Sequence, residues 1–209
     1  MRVAVLSESS ADEAAIRILV NGILGRETEE VPNLPLRARG WPFAIRVLPT
    51  VLKYLHYRTD ADTLVVVVDS DDAPLHEPSH DEPGGSYSDC RLCQLRTVVA
   101  SELKKLRPTG RNPLKTALGL AVPAIEAWYQ CGLDPHVNEA TWARRLQSEP
   151  ITYTRRTLKQ SVYGTERPTI QIEEACAIKA ATRLAHDFSM IEQLFPNGFG
   201  SLARDIRGW

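Results

Sequence analysis

The segment Thr63–Asp69 (TLVVVVD) constrains this chain more than any other. Valines at 65 to 68 are β-branched, which disfavours helix and suits a pleated backbone. The run is apolar at successive positions, so both of its faces must be buried. A strand of that kind belongs in the middle of a parallel sheet covered by helices on both sides. At five apolar residues, Leu64–Val68 is far too short to cross a membrane. With 209 residues and 43% apolar content, the chain can bury a core as one domain, or as one domain with an appendage. Wholesale disorder is excluded.

The remaining pattern extends this reading. Arg2–Ser7 (RVAVLS) reads as a second buried strand, with Ser9 and Ser10 as helix caps. Apolar residues at Ala15, Ile16, Leu19, Val20 and Ile23 predict a helix that Gly25 ends. Glu27–Gly40 reads as loop with room for one short strand. Helices are predicted over Phe43–Tyr57 and Asp89–Leu106, a strand over Thr116–Val122, and a further helix from Ala124. Strand and helix alternate, which predicts an α/β fold with a mainly parallel sheet flanked by helices. After Asp134 the texture turns helical, over Asn138–Leu146, Tyr153–Val162, Ile170–His186 and Ser189–Phe195. The expected organisation is an α/β core over residues 1–133, with a loop insertion at 73–89, and a helical C-terminal part over 134–209 packed on it.

The net charge of −1 hides a segregation. Between Thr59 and Cys90 there are nine acids and no Lys or Arg. From Arg91 to Lys115 there are seven bases against one acid, Glu102. Further bases follow at Arg144, Arg145, Arg155, Arg156 and Lys159. An acidic block beside basic ones is what a metal site next to a phosphate-binding surface requires. It also describes a solvated loop followed by an ordinary charged helix face.

In parallel α/β sheets the working residues lie at the carboxyl ends of the strands. Here those ends carry Glu8 after the first strand, Asp69, Asp71 and Asp72 after the central one, and Glu126 after the third. Asp12 follows Glu8 by one helical turn. Carboxylates brought together repel one another unless a hard divalent cation neutralises them. A site without histidine favours Mg²⁺ or Mn²⁺, and its commonest chemistry is phosphoryl transfer or phosphodiester hydrolysis. Lys159, Arg155 and Arg156, or Arg91, Arg96 and Arg111, are the bases available to hold substrate phosphates, with Lys159 the first choice.

Two segments resemble the motifs of the Toprim domain, which topoisomerases, primases, recombination factors and OLD-family nucleases share. They are V-A-V-L-S-E-S-S-A-D-E at Val3–Glu13 and L-V-V-V-V-D-S-D at Leu64–Asp71. Toprim sites place a Glu after the first strand and D-x-D after a later one, here Glu8, Asp69 and Asp71. The usual Gly after the Glu is Ser9 in this chain. V-P-A-I-E-A-W-Y at Val122–Tyr129 and F-G-S-L-A-R-D-I at Phe199–Ile206 resemble small stand-alone bacterial Toprim proteins of the OLD/RloB-like kind. The resemblance covers nearly the whole chain. It implies a Toprim-like fold and a Mg²⁺-dependent nuclease acting on DNA or RNA. It further implies Glu126 as an additional metal or structural acid, an ABC/OLD-like ATPase partner and a role in anti-phage defence.

The loop after the central strand carries a second pattern, His76-x3-His80-x9-Cys90-x2-Cys93. Two pairs at ligand-like spacing in a loop with little core-forming power predict a structural zinc site. His80 as a general base and Cys90–Cys93 as a redox pair are the other chemical readings, and solvated histidines beside a buried Cys93 the bland one. Cys131 and Cys176 sit among apolar helical residues and read as core. So few cysteines, and no signal-peptide pattern after Met1, predict a reduced, cytoplasmic protein without a membrane partner. No phosphate loop, nucleophile elbow or dinucleotide fingerprint occurs. The alternative to a nuclease is a non-catalytic, zinc-stabilised module that binds nucleic acid or a partner protein.

Overall fold

A computed structural model describes residues 1–31, 40–82 and 87–209. The chain runs through β1 (Arg2–Leu6), α1 (Ser10–Leu24), β2 (Glu29–Glu30), α2 (Trp41–Arg58) and β3 (Thr63–Asp69). It continues through a short 3-10 helix (Pro78–Asp81), α3 (Arg91–Lys105), β4 (Lys115–Ala121), α4 (Ile125–Gln130) and α5 (Glu139–Leu146). The last elements are α6 (Arg155–Tyr163), α7 (Ile170–Leu184), α8 (Ser189–Leu194) and α9 (Phe199–Arg207). The prolines of the Glu27–Gly40 loop, and Pro83, Gly84 and Gly85 of the 73–89 loop, lie outside the described residues.

The four strands are all parallel, in the order β2-β1-β3-β4. As the valine run requires, β3 is central and Thr63 to Val68 are all buried. Val3–Leu6 of β1 pair with Thr63–Val66, and the whole of β3 pairs with Lys115–Ala121. Right-handed crossovers then place α1 on one face and α2 and α3 on the other. The packing agrees, since α2 lies on α3 and β3 while α1 lies beside α9. Local signals set the helix ends. Ser9 caps α1 by accepting the Asp12 N–H at 3.2 Å, and Gly25 ends it at φ 63°.

The chain reverses direction across the sheet between β1 and β3, because β1 leads outward to β2 and β3 leads the other way to β4. That reversal opens a crevice at the carboxyl ends of these two strands. Among the described residues no strand follows β4, and the C-terminal helices pack back on the sheet. α7 covers α1, and α9 lies on β4. Asp205 of α9 accepts the Leu118 N–H at 3.2 Å, satisfying a donor on the open edge of β4. Gly198 allows this docking, because a Cβ there would lie 2.0 Å from the Leu120 carbonyl oxygen. One hydrophobic core runs from Val3 to Ile206.

Candidate metal centres at the sheet crevice

The crevice gathers acids from both sides of the reversal. Glu8 follows β1, and its Oε1 accepts the backbone N–H of Asp69 at 3.1 Å. Asp69 ends β3, and its Oδ1 accepts the Ile125 N–H at 3.0 Å, which fixes the start of α4. Asp71 adopts φ 50°, in the left-handed region where a non-glycine residue needs outside support. It receives that support from several directions. Its backbone N–H donates to Pro123 O at 2.9 Å, and its carbonyl accepts from Trp142 Nε1 at 3.2 Å. Arg91 donates to its Oδ2 at 2.7 Å, and Arg155 pairs with its Oδ1. Arg91 also donates to the Asp69 carbonyl at 2.6 Å, while Arg155 lies 3.6 Å from Asp69 Oδ2.

Glu126, near the start of α4, sits deeper. Lys159 Nζ lies 3.8 Å from its Oε1, and Tyr163 hydrogen-bonds its side chain. Asp12 is half-buried beside it, accepting from Ser9 Oγ at 2.7 Å and from Tyr129 Oη at 3.3 Å. Burial, and secondarily the neighbouring acids, raises the carboxyl pKa of Asp69 well above the usual range. Burial likewise raises Glu8 and Glu126 and pushes Asp12 up to about 7. Burial and mutual repulsion thus both favour the protonated form of these carboxyl groups.

The expected site residues part company here. Glu8 and Asp69 are joined through the Asp69 N–H, and Asp69 and Asp71 share Arg155, but their carboxylates do not converge as a ligand group. Asp72 does not join them, because it is largely exposed and pairs with Arg145 at 2.6 Å. Asp12 has both oxygens engaged by hydroxyl groups, which makes it part of the support. Lys159 reaches Glu126 and no open phosphate position. Of the other bases, Arg91 and Arg155 reach the crevice. Arg96 serves Asp81, Arg111 donates to the carbonyls of Thr59 and Ala61, and Arg156 pairs with Glu166. Tyr129, Trp142 and Tyr163 also belong to this neighbourhood. Sequence reasoning missed them, and the only signal for Tyr129 was its place in I-E-A-W-Y.

The second pattern converges tightly. Among the described residues, His76, His80, Cys90 and Cys93 form the one group of three or more His, Cys, Asp or Glu that could hold a metal ion. Their ligand atoms all lie within 4.8 Å of one another, and all four residues are buried. His76 Nδ1 is 3.8 Å from Cys90 Sγ and 3.6 Å from Cys93 Sγ, and His80 Nδ1 is 3.6 Å from Cys93 Sγ. Zinc–nitrogen bonds of about 2.0–2.1 Å and zinc–sulfur bonds of about 2.3 Å give a tetrahedral N···S edge of about 3.6 Å. These three N···S separations therefore match the edges of a tetrahedral zinc site.

Its surroundings fit as well. His76 Nε2 lies 3.3 Å from Asp81 Oδ2, the carboxylate–histidine pairing that orients metal ligands. Arg96 Nη1 is 3.0 Å from the same nitrogen and also pairs with Asp81. With Nδ1 as a ligand, Nε2 would carry the proton and donate to Asp81, and Arg96 would then serve Asp81 and not the ring. Burial, helped by Arg96, lowers the His76 pKa and keeps its ring neutral, as ligation requires. His80 stacks on Tyr87 with ring centroids 3.9 Å apart. Of the remaining cysteines, Cys131 is buried and Cys176 is half-buried on α7.

The chain matches no protein-family model, no curated protein and no solved structure with which it was compared. No helix among the described residues is long and apolar enough to cross a membrane.

Proposed function

We propose that this protein is a cytoplasmic, Toprim-type phosphodiesterase that cleaves DNA or RNA with Mg²⁺ or Mn²⁺. The observation that carries the reading is the hydrogen bond from the Asp69 N–H to Glu8, which joins the carboxyl ends of β1 and β3. Glu8 Oε1 and the Asp69 N–H lie 3.1 Å apart there, joining two strand ends that are 61 residues apart in sequence. Glu8, Asp69 and Asp71 would hold the cation, and their hard oxygen donors suit it. Bound there, it supplies Lewis-acid polarisation of a phosphate and an activated water.

The residues of the chain do the rest. Arg91 and Arg155 flank Asp71 and are placed to receive the non-bridging oxygens of a phosphate. Lys159 balances Glu126, and the Ile125 N–H holds Asp69 in position. In this reading zinc fills the His76, His80, Cys90 and Cys93 cluster and secures the loop beside the crevice. A partner ATPase of the ABC/OLD kind, and a part in defence against phage, follow from the motif resemblance.

The engagement of both Asp71 oxygens by arginine favours a second reading. In that reading the crevice is a closed ion-pair network, and the protein is a zinc-stabilised module binding nucleic acid or a protein. One experiment separates the two. Purified protein is incubated with single- and double-stranded DNA and RNA and with Mg²⁺ or Mn²⁺, beside Glu8→Ala and Asp69→Ala. Metal-dependent cleavage that falls at least about 1,000-fold in both variants supports the nuclease. Cleavage surviving both substitutions, or absent from the wild type under every condition, overturns it.

A further inference from the structure

The two centres are not independent, and Arg91 is the link. Cys90 and Cys93 begin α3, and Arg91 stands between them. Its guanidinium turns away from the cluster, over the Trp41 ring at 5.2 Å, to the Asp69 carbonyl and the Asp71 carboxylate. The first turn of α3 is thus fixed on one side by the His/Cys cluster and on the other by the acidic crevice.

Leu92 and Leu95 also pack that turn into the core. Cys90 is the N-cap residue of α3 and makes no side-chain capping hydrogen bond, and the first turn carries no acid. The preceding loop contributes His76 and His80, which the cluster joins to the helix start, and Arg96 of α3 adds contacts to His76 and Asp81. A metal there would tie His76 and His80 to Cys90 and Cys93.

We propose that metal in the His76/His80/Cys90/Cys93 cluster sets the position of Arg91 against Asp71, so that occupancy of this cluster controls the charge of the acidic crevice. Arg91 is a positioning residue in this scheme, because it acts on the crevice through Asp71. Asp71 has a second partner in Arg155, and Arg96 and Asp81 face the cluster from its other side. The proposal rests on the zinc reading of the cluster and is independent of whether the crevice cleaves nucleic acid.

Coupling between two sites is reciprocal, so breaking the Arg91–Asp71 pair must weaken metal binding at the cluster. The test measures zinc affinity by competition with a chromogenic chelator for wild type, Arg91→Gln, Asp71→Asn and the double variant. Arg91→Gln is expected to bind zinc roughly 3- to 10-fold more weakly, and the double variant no more weakly than Arg91→Gln alone. Amide hydrogen exchange of the wild-type protein, with and without chelation, is the second readout and needs no variant to fold. Chelation is expected to speed exchange at residues 69–72 as well as at the start of α3. Unchanged zinc affinity in Arg91→Gln, or exchange at 69–72 indifferent to chelation, overturns the coupling while leaving zinc in place. A full-length protein that binds no zinc at all overturns both the coupling and the zinc reading.

Discussion

Two clusters of ligand-type side chains lie beside each other past the end of β3, and they are organised in opposite ways. The His/Cys cluster brings four ligand atoms within 4.8 Å of one another. The acidic crevice gathers Glu8, Asp69, Asp71 and Glu126 without such convergence, and arginines stand among its carboxylates. The reason is electrostatic. Neutral imidazoles and thiols can be packed together and buried before any metal arrives, because no like charges are forced together. Carboxylates cannot, so a protein holds them with N–H groups and counter-cations until a divalent ion takes over. The first cluster is prepared by packing, the second by charge balance. They should therefore fail in different ways.

Cys93→Ser tests the packed cluster most severely, since its sulfur faces both histidines. The expected result is loss of bound zinc by elemental analysis and destabilisation of at least about 3 kcal/mol. A chelator should destabilise the wild type similarly and leave the variant's melting curve unmoved. Equal metal content in both proteins would break the contrast.

The crevice should respond to pH instead. Asp12, with its pKa pushed up to about 7, binds a proton more readily in the folded state than in the unfolded one. The same direction holds for Glu8, Asp69 and Glu126. A raised acid contributes stability that is present below its unfolded pKa and lost as pH rises through its folded pKa. For Asp12 that window runs from 3.8 to about 7. Asp69→Asn keeps an acceptor for Ile125 and removes one charge. Its melting temperature should match the wild type near pH 4 and exceed it by roughly 3–6 °C at pH 8, read by thermal melts across pH. A variant less stable at pH 8 would show that the arginines already balance the crevice.

Asp72→Asn is expected to do least. Its carboxylate meets Arg145 at the surface, so stability should change by less than about 1 kcal/mol, with zinc content and Mn²⁺ binding unaltered in calorimetry. A loss of Mn²⁺ binding would extend the crevice to a residue that the structure directs outward.

Much of the fold was legible because local pattern and burial agree. The valine run could only be a central strand, and Ser9, Gly25 and Asn138 act where capping chemistry places them. The acids at strand ends were legible because a parallel sheet puts them there. Side-chain direction was less so. Asp71 and Asp72 are neighbours, yet the left-handed turn at Asp71 sends one carboxylate to Arg91 and Arg155 and the other to Arg145. Nothing in D-S-D-D announces that turn, since such a conformation in a non-glycine residue is imposed by its surroundings. The helix α9 was legible as a helix, since Phe199, Leu202, Ala203 and Ile206 recur at helical spacing, but its seat on β4 was not, because it depends on the close approach at Gly198.

By itself the sequence determined a parallel, helix-covered sheet with carboxylates at its strand ends and two ligand pairs in the loop that follows. These are consequences of periodicity and spacing, which act within one element or across one connection. Only the tertiary structure decided which carboxylates face one another, which arginines neutralise them, and that His76 and His80 meet Cys90 and Cys93 at ligand distances. Those outcomes are separations of a few ångströms between residues far apart along the chain, and only packing of the whole core sets them.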